Sequence, residues 1–441
     1  MTMTSIYKYS SFLWLGALAT VAGCGIFGDD GEILPGERYS ILTPQEAIEA
    51  DPGLRERTIV LPRPVVNTQW SQPGGTPANA PGSLAASLPL ESVWEVSAGQ
   101  GSSSDGFLTA VPIIAEGRAY VLDANAQVRA FNTEDGDRIW SVDLVPEDED
   151  EDEGFGGGIA FEDGKIFVAT GFGDLFSLDA ATGERIWHNP VGIPFRASPT
   201  AFEGRVFVET YDNNMAAYDA DTGEQLWTHQ GVSEAASILG STSPAVIDST
   251  VIVPYSSGEL VAIRVDTGNV LWRDQLSGSA SSTSLAQLND IAARPVVDGG
   301  EVIVVSHSGG MVSIDLRSGQ RKWAQQIDGI QTPAVVGDYI FAVLSDGVLI
   351  CLDRETGGVF WAAKLPGEQS EDSAATEWAG PVVVGGALFL VSSDSEGITV
   401  DPGTGSIIEQ ISLEGEGFLS PVVANETVYI LTDNARLTAY R

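Results

Sequence analysis

Asp179-Ala-Ala-Thr-Gly183-Glu-Arg-Ile-Trp187 joins a tight turn to a large aromatic side chain, and variants of it return along the whole sequence. Asp179 and Thr182 are residue types whose side chains hydrogen-bond nearby backbone, and Gly183 can adopt the positive φ that closes such a turn. The same spacing, Gly and then Trp four residues on, recurs at Gly136/Trp140, Gly223/Trp227, Gly268/Trp272, Gly319/Trp323 and Gly357/Trp361. At Gly405 the turn persists as Asp401-Pro-Gly-Thr-Gly405, but Glu409 stands in the place of Trp.

Around one copy of the turn, Ser198-Pro-Thr-Ala-Phe202, Arg205-Val-Phe-Val-Glu209, Met215-Ala-Ala-Tyr-Asp219 and Glu224-Gln-Leu-Trp-Thr228 read as four short strands separated by Gly, Asn or Asp turns. Four-strand units at a period of roughly 45 residues, with no helical periodicity, are propeller blades. Units begin at Pro112, Pro199, Pro244, Pro295, Pro333, Pro381 and Pro421, with Gly158 in the equivalent place of the second repeat, which makes eight. The last supplies only three strands, and Leu90-Glu-Ser-Val-Trp94-Glu-Val96 is a spare Trp-bearing strand ahead of the first.

The expected fold over 90–441 is therefore an all-β, eight-bladed propeller of four-stranded antiparallel blades, closed by the N-terminal strand joining the C-terminal blade. Closure removes the sheet edges that an open array would expose. The competing count is seven blades, with Trp94 in a separate element. Trp94, Trp140, Trp187, Trp227, Trp272, Trp323 and Trp361 are predicted to tie neighbouring blades, each burying ~150–250 Å².

The 441 residues carry 22 Lys and Arg against 61 Asp and Glu, a net charge of −39. Such a chain repels a phosphate backbone, so a nucleic acid is excluded as principal partner. The acidic run Glu147–Glu153 is expected to be a solvated insertion, since it lacks the spacing of a defined Ca²⁺ loop. Cys24 and Cys351 form no disulfide framework, and Cys351 sits in a strand pattern that predicts a buried thiol.

Residues 1–23 hold one Lys, an apolar run of about ten residues and then Val-Ala-Gly before Cys24, which is a signal peptide and too short for a span of ~20. Val-Ala-Gly-Cys24 resembles the bacterial lipobox, which implies acylation at Cys24 and a membrane anchor. Gly25 after the cysteine, where an Asp favours the inner membrane, points to the outer membrane, facing the periplasm. Residues 24–89, dense in Pro and Gly, read as a lipidated tether with a short helix from Thr43 through Ala50, and Trp70 is expected to lie back on the folded domain.

Catalytic constellations are scarce. His188, His229 and His307 occupy different places in different repeats, with no zinc spacing, so no metal and no cofactor are expected. Gly171-Phe-Gly173 lies in a hairpin without a following helix and is no dinucleotide loop. The repeat also resembles that of pyrroloquinoline-quinone dehydrogenases, which are eight-bladed propellers. Those enzymes pair vicinal cysteines with a Glu/Asn/Asp calcium set, and neither is assignable here, so a quinone-dependent dehydrogenase is the alternative function.

The lipobox, the tether and eight such repeats together resemble the BamB family, the lipoprotein subunits of outer-membrane β-barrel assembly (Bam) complexes. Gln287-Leu288-Asn289-Asp290-Ile291-Ala-Ala-Arg294-Pro-Val-Val297 resembles that family's Arg-Leu-Ser-Asp-Val-x-x-x-Pro-Val-Val segment. The resemblance implies a non-enzymatic scaffold that binds the periplasmic POTRA domains of BamA and assists barrel-protein assembly and insertion. Other Bam lipoproteins would be met indirectly, and nascent outer-membrane proteins are further candidate partners. It places the BamA contact on one rim, at Ile238, Leu239, Leu288, Asn289 and Asp290, with Asp290 matching an acidic contact of the family. Leu239, where Arg is common, and Ala292, where a second Asp is common, imply fewer ionic contacts.

Overall fold

The Asp179 carboxylate accepts hydrogen bonds from the backbone N–H of Ala181 (3.0 Å) and Thr182 (2.8 Å) and from the Thr182 hydroxyl (3.0 Å). These donors, the Thr182 N–H foremost, hold its carboxyl below the ordinary range. Gly183 completes the turn at φ +77°. The computed structural model describes residues 48–104, 106–150, 154, 156–234, 242–276, 290–307, 309–367 and 375–441. Within them the same carboxylate-to-hydroxyl bond recurs at Asp219/Thr222, Asp315/Ser318, Asp353/Thr356 and Asp401/Thr404.

The strands form eight sheets, each built around four consecutive antiparallel strands except at the seam. In blade 2 these are Gly157–Glu162, Lys165–Thr170, Asp174–Asp179 and Arg185–Pro190, counted from the channel outward. The inner three are almost wholly buried because sheets cover both their faces, whereas the outer strand alternates between exposed and half-buried positions.

A β-bulge just before the Trp of each outer strand turns the indole toward the next blade, as between Arg185 and Trp187. The skipped apolar residue is left outside: Ile186 is 45% exposed and Leu226 44%. Each indole then lies on the neighbouring blade's turn and donates its N–H to a carbonyl there. The acceptors are Thr133 for Trp94, Ala180 for Trp140, Ala220 for Trp187, Val265 for Trp227, Leu316 for Trp272, Arg354 for Trp323 and Pro402 for Trp361, at 2.8–3.1 Å. A Cβ on Gly183 would stand 2.8 Å from the Trp140 ring, so glycine is required there for clearance as well as for φ.

Ser92–Ser97 pairs antiparallel with Arg436–Tyr440 and completes blade 8, which sets the count at eight rather than seven. Glu91 and Arg441 exchange backbone hydrogen bonds of 3.0 and 2.9 Å at this seam. The seam also accounts for Glu409. The third and fourth strands of blade 8 come from opposite ends of the chain, so no turn joins them and there is no turn glycine for an indole from blade 7 to cover.

The reading of 24–89 as a tether is corrected for its described part. Residues 48–90 belong to the same compact unit as the blades. Alternating antiparallel strands put the first-to-second-strand turns and the Asp-x-x-Thr-Gly turns at one end of the ring, here called the lower face, and residues 65–85 plug the channel there. The innermost strand of each blade has one edge toward the channel, with N–H groups that need acceptors.

In blades 1 to 5 these donors are Ile114, Phe161, Ala201, Val246 and Val297. They are met in turn by Trp70 O (3.0 Å), Ser71 O (2.8 Å), Gln72 Oε1 (2.9 Å), Pro77 O (2.7 Å) and Ala78 O (2.9 Å). Ser83–Leu84 then adds a short parallel strand beside Val383 and Val384 of blade 7, and the Asn67 side chain donates to Val423 O of blade 8 at 2.6 Å. Trp70, within this segment, is 3% exposed. Upstream, Arg57 stands over the Phe360 ring of blade 6 at 5.4 Å. The helix expected from Thr43 lies mostly outside the described residues, and 48–50 are not helical.

Candidate partner-binding face

The upper face carries the connections between blades, and here the repeat is broken. The connection from blade 3 to blade 4 spans 231–244, and that from blade 4 to blade 5 spans 276–295. Ile238, Leu239, Leu288 and Asn289 lie outside the described residues. The ends of both connections are described and sit side by side: the Thr242 hydroxyl donates to Ala293 O at 3.5 Å, and Ser198 N–H donates to Thr242 O at 3.0 Å.

Asp290 does not present its carboxylate to solvent, as a surface contact with a partner would require. Its side chain is 1% exposed and paired with the Arg196 guanidinium. The backbone holds Arg196 in place, since its N–H donates to Glu209 O at 3.1 Å and Phe195 bridges to Thr210. Arg196 Nη1 also reaches Glu209 Oε1 (3.2 Å) and Pro254 O (3.0 Å), and Nη2 reaches Ile291 O (3.3 Å). One buried cation thus faces two carboxylates. Burial, reinforced by the charge of Asp290 and opposed by Arg196, pushes the Glu209 carboxyl up to about 7.

Pro254 leads into Tyr255, whose hydroxyl lies 2.7 Å from His229 Nδ1, while His229 Nε2 lies 3.1 Å from an Arg273 nitrogen. Burial, seconded by Arg273, lowers the His229 pKa. Beyond Arg273, Glu259 accepts from Val232 N–H at 2.9 Å, at the start of the first connection. Polar contacts thus run from the first connection to the Tyr255 hydroxyl, and from the carbonyl of Pro254, its neighbour in sequence, through Arg196 to the second connection.

The upper mouth of the channel opens into a cavity of about 440 Å³ with Phe107, Ile330 and Phe418 on its walls and Glu377, Glu416 and Asp433 among its acidic groups. Arg294 lines both this cavity and a smaller one against Trp70 of the plug, and its burial pulls the guanidinium down to about 10. Elsewhere, His188 Nε2 meets Asp174 Oδ1 at 2.6 Å and stacks on Phe176 at 4.4 Å, joining two strands of blade 2. Cys351 is fully buried, which raises its thiol pKa. Among the described residues, no three His, Cys, Asp or Glu groups gather as a metal-holding set.

Sequence reasoning missed Arg196 and Glu209. The available signal was weak: Arg196 and Arg294 both fall just before the Pro-led start of a blade, in a chain with few basic residues.

A profile of the family described as "Outer membrane protein assembly factor BamB" matches residues 91–152 and 147–363. The chain belongs to the BamB family. The BamB of Escherichia coli (strain K12) is 30% identical to it over 240 residues, which span 54% of this chain and 61% of that protein. The crystal structure of BamB from Moraxella catarrhalis is similar with a TM-score of 0.67 at 19% identity, covering 80% of this chain and 99% of that one. The quinohemoprotein alcohol dehydrogenase of Comamonas testosteroni is similar with a TM-score of 0.62 at 15% identity, covering 85% of this chain and 80% of that one. At such identities the structural likenesses concern the fold, which BamB proteins and quinoprotein dehydrogenases share. The seven Trp joints described above are this BamB-family chain's means of building that fold.

Proposed function

We propose that this chain is a non-enzymatic outer-membrane lipoprotein, anchored through Cys24 and facing the periplasm. It binds the POTRA domains of a BamA-like barrel protein and assists assembly and insertion of outer-membrane β-barrel proteins. Membership in a family whose named members are assembly factors carries the reading. A rigid ring with two irregular connections ending side by side on one face supports it, since such a ring can hold a binding surface in a fixed shape. Ile238, Leu239, Leu288 and Asn289 are the proposed contacts. Other Bam lipoproteins are reached indirectly, and nascent barrel proteins are further candidate partners.

Affinity capture of the full chain from detergent-solubilised outer membranes tests this function, and the expected result is recovery of a BamA-like barrel. Failure to recover one, together with quinone-dependent dehydrogenase turnover, would move the assignment to the enzymatic alternative. Cys24→Ala is expected to shift the protein from the membrane fraction to the soluble periplasmic fraction.

A further inference from the structure

Asp290 combines two properties that a surface contact cannot have together. It occupies the position that the family resemblance assigns to the partner face, and its carboxylate is buried against Arg196. Arg196 binds Pro254 O of blade 4 on one side and Ile291 O of the second connection on the other. The main chain of Asp290 is held as well, its carbonyl accepting from His307 N–H at 3.1 Å. Two residues along from Arg196, Ser198 holds Thr242, on which the first connection returns to the ring. The guanidinium therefore ties the end of the second connection directly to blade 4, and the end of the first connection is held two residues farther along the same segment, by the Ser198 backbone. A planar fork with several fixed donors suits this task, and a single ammonium does not.

We infer that the Arg196–Asp290 pair, with Glu209 on the other side of the guanidinium, is the positioning group of the partner face: Asp290 governs binding from inside the protein, by fixing the end of the second connection to the segment that also holds the first, and does not touch the partner. The inference rests on the proposed partner binding. It differs from a purely structural role in what it protects, which is the shape of one face. Removing Arg196 takes the shared guanidinium from two buried carboxylates, and neutralising Asp290 takes a charged acceptor from the guanidinium and leaves it Glu209; in either case the tie between blade 4 and the end of the second connection is weakened.

The test is a double-mutant cycle on the full chain in detergent, titrated with the purified BamA-like barrel protein. Asp290→Asn and Arg196→Met are each expected to weaken binding about tenfold, and the double variant no more than the weaker-binding single, because residues of one network are not additive. Effects of the two singles that simply multiply, or an unchanged affinity for a folded Asp290→Asn, would overturn the inference. Arg196→Lys covers the case in which Asp290→Asn does not fold. It keeps the charge and loses the fork, and is expected to weaken binding roughly threefold or more; unchanged affinity again overturns the inference.

Trp361→Ala, at a joint remote from this face, is the control for destabilisation alone. It should lower the melting temperature while affinity stays within about twofold, and an equal loss of affinity there would reduce the Asp290 effect to general loosening. Leu288→Ala separates this proposal from the function beneath it. If Leu288→Ala weakens binding and Asp290→Asn does not, the positioning role fails alone. If the wild-type chain binds no barrel protein at all, the partner reading fails first.

Discussion

The lower and upper halves of the ring solve opposite problems with the same strands. The lower half repeats itself: a turn glycine and an indole from the previous blade recur at seven junctions, five of the turns are capped by an Asp carboxylate, and the plug supplies acceptors to five successive inner strands in order. The upper half repeats little. Its connections differ in length, a cavity opens among them, and charged groups are buried where the lower half buries indoles. Regular packing stabilises the ring, and the departures from the repeat collect at its upper end.

The contrast breaks most visibly through Trp227→Ala. Removing an indole that is 9% exposed and bonded to Val265 O should cost about 3–5 kcal/mol, read from chemical denaturation. An unchanged denaturation midpoint would take Trp227 out of the inter-blade core.

Glu209 tests the upper half through pH. It faces Arg196 and Asp290, and its charge adds to the burial that raises the pKa of the nearby Tyr255. Its carboxyl is raised in the folded state from an ordinary value of 4.5 to about 7, so the folded protein holds the proton more tightly. Its stabilising contribution is therefore complete below the unfolded value and is lost as pH rises through about 7, an effect on the order of 3 kcal/mol at most. Glu209→Gln should flatten the rise of stability from about pH 8 down to about pH 5. The lower half titrates with the opposite sign. Asp179, Asp219 and Asp315 are held below the ordinary range by turn donors, so their contribution is present above that range and fades in acid.

Gln72→Ala probes the plug. Its side chain donates to Phe161 O and accepts from Ala201 N–H, both at 2.9 Å, so truncation orphans groups in two blades and should cost about 1–3 kcal/mol. Faster hydrogen exchange at Ala201 is the local readout. The smallest effect is expected for Glu409→Trp, which restores the repeat in sequence but has no turn of blade 8 to cover, so stability should change by less than about 0.5 kcal/mol.

The blade count and the joints were legible because both are local. A turn needs Asp, Thr and Gly at fixed offsets, and the indole follows at a fixed distance along one chain. The bulge that turns each indole was not legible, since an exposed Ile186 beside a half-buried Trp187 reads as a plain apolar pair. The plug was not legible either. Pro- and Gly-rich residues 65–85 carry no strand pattern, and what orders them is a circle of unsatisfied N–H groups that exists only once the ring has closed.

Asp290 marks the same boundary. The sequence by itself determined the repeat, the number of units and the strand that closes them, because period and turn chemistry are written in consecutive residues. Only the tertiary structure decided that Asp290 points inward: its partner Arg196 lies 94 residues away, and the ring's closure brings them together in a site too dry for either charge alone.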